Sequence, residues 1–265
     1  MISSLYRALH RLPYFRGRDR VGSWLQGFLR ERIVSLDAGF RMALDLSEGT
    51  QRGIWIRGSL ERATSALATR LLAPGDVAID VGAHVGYYSL LFGERVGAAG
   101  RVIAIEPQPY NVERLLRNLV LNGRENVALF VSLAGEHERR QMLLHQTSRN
   151  TSDLSLVNAY STHSGIAYSS SMVRLDSIFE SMRLARIRLL KIDVEGYEHR
   201  VLEGLGSRIE AVDNIVLEVL GEAGTYDSNP ALSMLGAAGF RLHQVDGSPW
   251  DLRSAPLEGN VWAAR

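Results

Sequence analysis

The spacing of hydrophobic and polar positions changes several times along the chain, and each change marks an element. Over residues 76–106, DVAIDVGAHVGYYSLLFGERVGAAGRVIAIE, an apolar run predicts a strand and Gly82 and Gly86 predict a turn. Helical spacing follows, and a second apolar strand ends on Glu106. The pattern returns at residues 188–205, where RLLKID leads into an acidic turn containing Glu195 and Gly196 and then into a helix. Between these stretches the spacing predicts a helix over 111–121, framed by Pro107 and Pro109, and a buried strand over 126–134. Beyond them it predicts a strand at 214–220, a helix at 231–237 and strands at 240–245 and 260–264. Strands alternating with helices predict an α/β fold with a parallel sheet, and the closing hairpin requires its last strand to run antiparallel.

Upstream, residues 1–32 interleave apolar and basic side chains in the manner of two short amphipathic helices split near Pro13 and Gly17. Residues 32–57 alternate, which predicts a small antiparallel β element with its turn at 47–53. Ser59 is placed to cap a helix carrying Leu60, Ala63, Leu67 and Leu71 on one face. Within 135–175 the alternation of strand and helix stops. Strands are expected at 139–145 and 171–175, around a stretch rich in Ser, Thr, Asn and Gly, and the 146–170 segment is the expected substrate lid or mobile loop. The domain reading is a basic extension, 1–36, followed by one domain, 37–265.

Composition narrows the classes. A length of 265 residues and a 46% hydrophobic fraction suit one α/β domain plus an extension. The formal charge of +1 gives no reason to expect nucleic acid as a partner. The absence of cysteine removes disulfides, thiolate metal sites and a cysteine nucleophile together. No apolar run has the length of a membrane span, and the N-terminus lacks a signal-peptide core, so a cytoplasmic protein is expected. One local imbalance stands out: residues 1–32 hold seven arginines against Asp19 and Glu31, beside Leu5, Tyr6, Trp24 and Phe28. Those residues form either a cap on the main domain or a peripheral contact with the inner face of a membrane or a lipid-linked substrate.

The chemistry lies in the turns. Glu106, 20 residues past Gly86, stands where a nucleoside-binding fold holds a carboxylate against a ribose diol. The turn itself carries two glycines and an acid, Asp80, where a dinucleotide fold needs three glycines to cradle a pyrophosphate. A carboxylate repels a pyrophosphate and attracts the ammonium and sulfonium of S-adenosylmethionine, which is the expected cofactor in place of NAD. Ser132, at the end of the 126–134 strand, would lie near an adenine. Asp193, Glu195 and Glu218 fall at the ends of two strands and in one turn, so they are expected to gather beside the methionine moiety as catalytic carboxylates. Lys191 is the only lysine in the chain, and its expected partner is one of these acids, in a catalytic or a structural role.

With both turns in view, the chain resembles the FkbM family of S-adenosylmethionine-dependent methyltransferases. The resemblance runs over residues 40–220 and rests on Gly58 to Glu61, the DVGAHVGYYS turn from Asp80 to Ser89, GRVIAIEP ending at Pro107, Asn111, Asn118, Leu175-Asp176 and KIDVEGYE from Lys191 to Glu198. His84 stands where the family usually has Asn, and Leu60 where it usually has an aromatic. The resemblance implies a Rossmann-like sheet of seven strands, the last antiparallel, with helices on both faces. It also implies a cofactor site containing Asp80, Gly82, Ala83, His84, Gly86, Tyr88, Glu106, Pro107, Asn111 and Asp193. From the residues themselves, Asp193 or Glu195 is the candidate base, and holding the cofactor's amine is their alternative role. Methyl transfer to a hydroxyl of a sugar, glycolipid or polyketide-type molecule is implied by the resemblance, and no metal motif. A non-catalytic S-adenosylmethionine-binding module is the alternative.

Overall fold

A computed structural model of the chain describes residues 5–6, 8–9, 21–22, 24–25, 27–146, 154–156, 166–220, 229–250 and 258–265. The chain divides into two compact units, Met1–Leu60 and Glu61–Arg265. Strands β1 (Glu31–Ser35) and β2 (Arg41–Asp45) of the smaller unit form an antiparallel hairpin in which Glu31 faces Asp45. Its turn lies at Leu36 to Phe40, closed by the Leu36 amide donating to the Phe40 carbonyl at 2.9 Å. The expected turn at 47–53 is instead the start of a helix, α1 (Gly49–Arg57). The Glu48 carboxylate accepts from the Thr50 and Gln51 amides at its start, and Gly58, in the left-handed region, ends it. Three apolar neighbours in GIWIRG are too short a run to tell a strand from a helix, so the cap decides. The hairpin therefore belongs with the smaller unit and not with the opening of the larger one.

The larger unit begins with α2 (Arg62–Leu71). Its cap position is Glu61, in the left-handed region at φ 42°, two residues past the expected Ser59, and the Glu61 side chain makes no capping bond because it is held elsewhere. The chain then alternates through β3 (Val77–Val81), α3 (Tyr87–Val96), β4 (Arg101–Ile105), α4 (Pro109–Leu121) and β5 (Val127–Phe130). The single strand expected over 126–134 is broken. After Phe130 the chain leaves the main sheet, and β6 (Leu133–Ala134) joins a second one with β7 (Arg139–Gln146), β8 (Leu154–Leu156) and β9 (Ile166–Val173), in the order β6-β9-β7-β8. Most of the expected lid, 147–153 and 157–165, lies outside the described residues.

The chain returns through α5 (Leu175–Ser181), β10 (Leu189–Ile192), α6 (Glu198–Leu205) and a 3₁₀ turn at Gly206–Ala211. It closes with β11 (Asn214–Leu220), α7 (Pro230–Ala237), β12 (Arg241–Gln244) and β13 (Glu258–Ala264). The main sheet has seven strands in the order β12-β13-β11-β10-β3-β4-β5, with β13 antiparallel to both neighbours. Helices α2 and α3 pack together, as do α5, α6 and α7, giving the two helical layers expected around a sheet of this kind. Strands β3, β4 and β10 read as nearly unbroken apolar runs because both of their faces are covered. Ile79, Ile103, Leu190 and Ile192 are fully buried. Asp80, Glu106, Lys191 and Asp193 lie toward or just beyond the C-terminal ends of these strands, and there the site forms.

Candidate active site

Strand β3 leads on to β4 and β5 on one side of the sheet, while β10 leads to β11 on the other. An open parallel sheet leaves a crevice at such a reversal, beyond the C-terminal ends of the strands. Two turns line it. Gly82, at φ +78°, holds the first turn against the second: a Cβ there would come within 1.8 Å of the Asp193 carbonyl oxygen. The Gly82 and Ala83 amides both donate to the Ile105 carbonyl at 3.0 Å, and the Gly86 amide to the Ala83 carbonyl at 2.8 Å. A Cβ on Gly86 would meet Leu115 at 3.0 Å. Both glycines are required by packing within the chain. They admit other parts of the chain, and the amides of Gly82, Ala83 and Gly86 brace the strand ends.

What the turn presents is Glu106. Its carboxylate, 3% exposed, accepts from the His84 amide at 2.8 Å, the Gln108 amide at 2.9 Å and Asn111 Nδ2 at 3.2 Å. Burial pushes its pKa up to about 7, against the pull of those donors. Pro107 sets the turn that brings the Gln108 amide round, and Pro109 opens α4 just after it. The Gln108 side chain is buried with neither its nitrogen nor its oxygen hydrogen-bonded, and the Ser132 hydroxyl, at the break after β5, is buried in the same state. Buried polar groups are nearly always satisfied, so Gln108 and Ser132 are groups to which a ligand's own donors and acceptors can be matched.

Asp80 lies deeper, 1% exposed. One oxygen accepts from Ser89 Oγ at 2.6 Å and the other has no partner, and burial raises its pKa while the charge of Lys191 pulls it down. Lys191 is the hub of the buried charges. Its ammonium donates to Asp193 at 2.7 Å and sits 4.6 Å from the centre of the Tyr88 ring. Burial alone would lower its pKa, yet the charges of Asp193, Asp80 and Glu61 hold it well above the ordinary lysine value. The Tyr88 hydroxyl donates to Glu61 at 2.7 Å, and Asn260 Nδ2 donates to the same carboxylate at 2.8 Å. The Glu61 side chain is thus taken by Tyr88 and Asn260 and does not cap the helix that follows.

On the β10 side the three expected acids meet. Asp193, Glu195 and Glu218 each place an oxygen within 4.8 Å of the other two. The turn between the first two is held by Glu198, whose carboxylate accepts from the Val194 amide at 3.3 Å and the Gly196 amide at 3.0 Å. Glu195 itself takes a positive φ, 54°, which is strained for a side chain of that size. Burial works to raise the Asp193 pKa, but Lys191 wins and holds it below the usual carboxylate range, and His84 contributes in the same direction. Glu218 is pushed the other way, to about 8, first by burial and then by the negative charge of Asp193. One carboxylate and one carboxyl group therefore sit side by side at neutral pH, as adjacent acids must when one of them has a cation.

Four residues enter the site that the motifs alone did not assign to it. Ser89 and Glu61 stood inside quoted motifs, and Gln108 directly follows one. Asn260 had no local signal, since it arrives only through the pairing of β13 with β11, which sets it opposite Glu218.

Comparison with known proteins identifies the family. The model of the methyltransferase FkbM domain matches residues 80–242. The 31-O-demethyl-FK506 methyltransferase FkbM of Streptomyces tacrolimicus is 31% identical over 159 residues, which is 51% of this chain and 61% of that protein. Among crystal structures, methyltransferase FkbM from Methylobacillus flagellatus KT superposes with a TM-score of 0.43 at 13% identity, over 100% of this chain and 58% of that one. A SAM-dependent O-methyltransferase from Thermotoga maritima gives 0.45 at 15% identity, over 88% and 77%. Overlaps of that size add nothing to the strand order, which already defines the fold. The family's domain model opens on Asp80, spans both turns of the crevice and covers more than half of the sequence, and on that ground the chain belongs to the FkbM family of methyltransferases.

Proposed function

We propose that the protein is an S-adenosylmethionine-dependent O-methyltransferase whose acceptor is a hydroxyl of a sugar, glycolipid or polyketide-type molecule. The observation that carries this reading is the meeting of Asp193, Glu195 and Glu218 in the crevice that also holds Glu106. The residues fit an adenosine. Glu106 has the acceptor oxygens for a ribose diol, while Gln108 and Ser132 have buried, unmatched donors and acceptors for a base. Asp80 and Asp193 supply negative charge for an amino-acid ammonium. When bound, the cofactor supplies a methyl group on a sulfonium leaving group.

An alcohol needs a base to become an adequate nucleophile, and the carboxylate pair provides one. Lys191 keeps Asp193 ionised, and ionised Asp193 raises Glu218 to about 8. Glu218 is thus the group that, in its deprotonated form, gained as pH rises through about 8, suits uptake of a hydroxyl proton, with Asp193 orienting the acceptor through a hydrogen bond. The same three acids have the oxygen chemistry of a divalent-cation site, but one of them is already paired with Lys191 at 2.7 Å, and the resemblance to the family brings no metal motif onto them. We therefore assign base catalysis without a metal. The test is product mass spectrometry on a panel of hydroxylated acceptors, before and after EDTA, with Glu218→Gln alongside. Turnover that survives EDTA and falls by about 10² or more in the variant is expected. Activity that EDTA abolishes and Mg²⁺ restores would overturn the metal-free assignment, and transfer only to nitrogen or carbon acceptors would overturn the O-methyl reading.

A further inference from the structure

The apolar residues of the N-terminal stretch point in two directions. Tyr6, Leu9, Leu25 and Leu29 are buried, and the Tyr6 ring stacks on Trp55 with centroids 6.3 Å apart. A segment that did nothing but cap its own unit would end there. Val21, Trp24 and Phe28, however, are exposed, with Trp24 at 66%. The Trp24 and Phe28 rings meet edge to face, centroids 5.3 Å apart, so the pair forms one outward ridge, and Leu5 is exposed as well. Two adjacent exposed aromatics go beyond the scattered apolar side chains of an ordinary surface.

Charge identifies the occupant. Within residues 1–32 seven arginines, Arg7, Arg11, Arg16, Arg18, Arg20, Arg30 and Arg32, face only Asp19 and Glu31, in a chain whose formal charge is +1 overall. A second copy of the chain would bring seven arginines against seven, so like-charge repulsion opposes self-association through this surface. A bilayer containing anionic phospholipid matches both features: guanidinium groups pair with phosphates, and aromatic rings settle at the depth of the headgroups. We infer that residues 1–32 dock the protein on an anionic membrane surface, with Trp24 and Phe28 as the inserted anchors and the arginines as the electrostatic contact. Among the described residues no helix is long and apolar enough to cross a membrane, so the attachment is peripheral.

The experiment uses the full chain without cofactor, which keeps it independent of the methyltransferase assignment. Co-sedimentation is measured with vesicles of phosphatidylcholine containing phosphatidylglycerol and with phosphatidylcholine alone, while tryptophan emission is followed. The expected result is binding to the anionic vesicles only, weakened by added salt and accompanied by a blue shift. The double variant Trp24→Ser/Phe28→Ser removes two exposed side chains and should leave the thermal unfolding midpoint in place while lowering the vesicle partition coefficient roughly tenfold or more. A second variant, Arg30→Gln/Arg32→Gln, should weaken binding and reduce its salt dependence. Three results would each overturn the inference: no sedimentation with anionic vesicles, equal binding to neutral vesicles, or binding unaffected by the loss of both aromatics. Concentration-dependent dimerisation that the aromatic variant abolishes would assign the ridge to a second copy instead.

Discussion

Replacing Lys191 with methionine tests the central electrostatic claim of the site. The ammonium is buried, donates to Asp193 at 2.7 Å and neutralises Asp80 as well. At an effective dielectric constant of about 20, two unit charges at that separation attract by about 6 kcal/mol, most of which offsets the desolvation of both groups. Removing only the cation leaves buried Asp80 and half-buried Asp193 without it, and such a change costs about 3 to 5 kcal/mol. The pH dependence carries the sign. In the native protein the raised Lys191 pKa stabilises the fold below the unfolded lysine value and is lost as pH climbs through the folded one. The depressed Asp193 pKa stabilises above the unfolded aspartate value and is lost as pH falls. The pair thus contributes throughout the neutral range. In Lys191→Met the folded pKa values of Asp80 and Asp193 move up together, and a raised carboxyl loses stability as pH rises. Urea unfolding of both proteins at about pH 5.5 and about pH 8.5 should show a gap that widens toward the higher pH. A gap below about 1 kcal/mol, or one that does not change with pH, would refute the placement of Lys191 as the buried counter-ion.

Gly82→Ala should destabilise the fold by about 3 kcal/mol or more in the same assay, because its Cβ would overlap the Asp193 carbonyl at 1.8 Å in a left-handed backbone, and an ordinary melting curve would contradict that packing. Glu106→Ala and Asp80→Ala should each weaken S-adenosylmethionine binding by about 1 to 3 kcal/mol in calorimetry, while NAD gives no heat in any form of the protein. Affinity for the cofactor should rise with pH through about 7 as Glu106 ionises, and Glu106→Gln should flatten that profile; a flat native profile would remove the carboxylate from the contact. The rate of methyl transfer should rise through an inflection near pH 8 that Glu218→Gln abolishes, and an inflection that survives would move the base to another group.

Strands β3, β4, β10 and β11, the two turns beside them and the acids those turns carry were legible in the sequence. Short apolar runs bounded by turn residues, such as VAIDV and LLKI, read as strands covered on both faces, and glycine at a turn with an acid before it is a local signal with a local cause. Asp80, Glu106 and Asp193 were legible for that reason. So was the expectation that Lys191 answers an acid, since a lone lysine in a buried run must be paired.

Local pattern misplaced what capping decides: GIWIRG became a helix because Glu48 takes two of its orphan amides, and α2 began at Arg62 because Glu61 is held by Tyr88 and Asn260. Tertiary structure alone decided three further matters. It showed that Gly82 yields to the Asp193 carbonyl, since only the side-by-side pairing of β3 and β10 brings those turns into contact. It broke the 126–134 run at Phe130, where pairing partners change from β4 to β9. It also set Glu218 against Asp193, giving the two acids opposite pKa shifts, because the charge that one carboxylate carries depends on which neighbours the fold brings within a few ångströms of it. Residue type and spacing report what a side chain can do; the distance to the next charge, which only packing sets, decides which of those things it does.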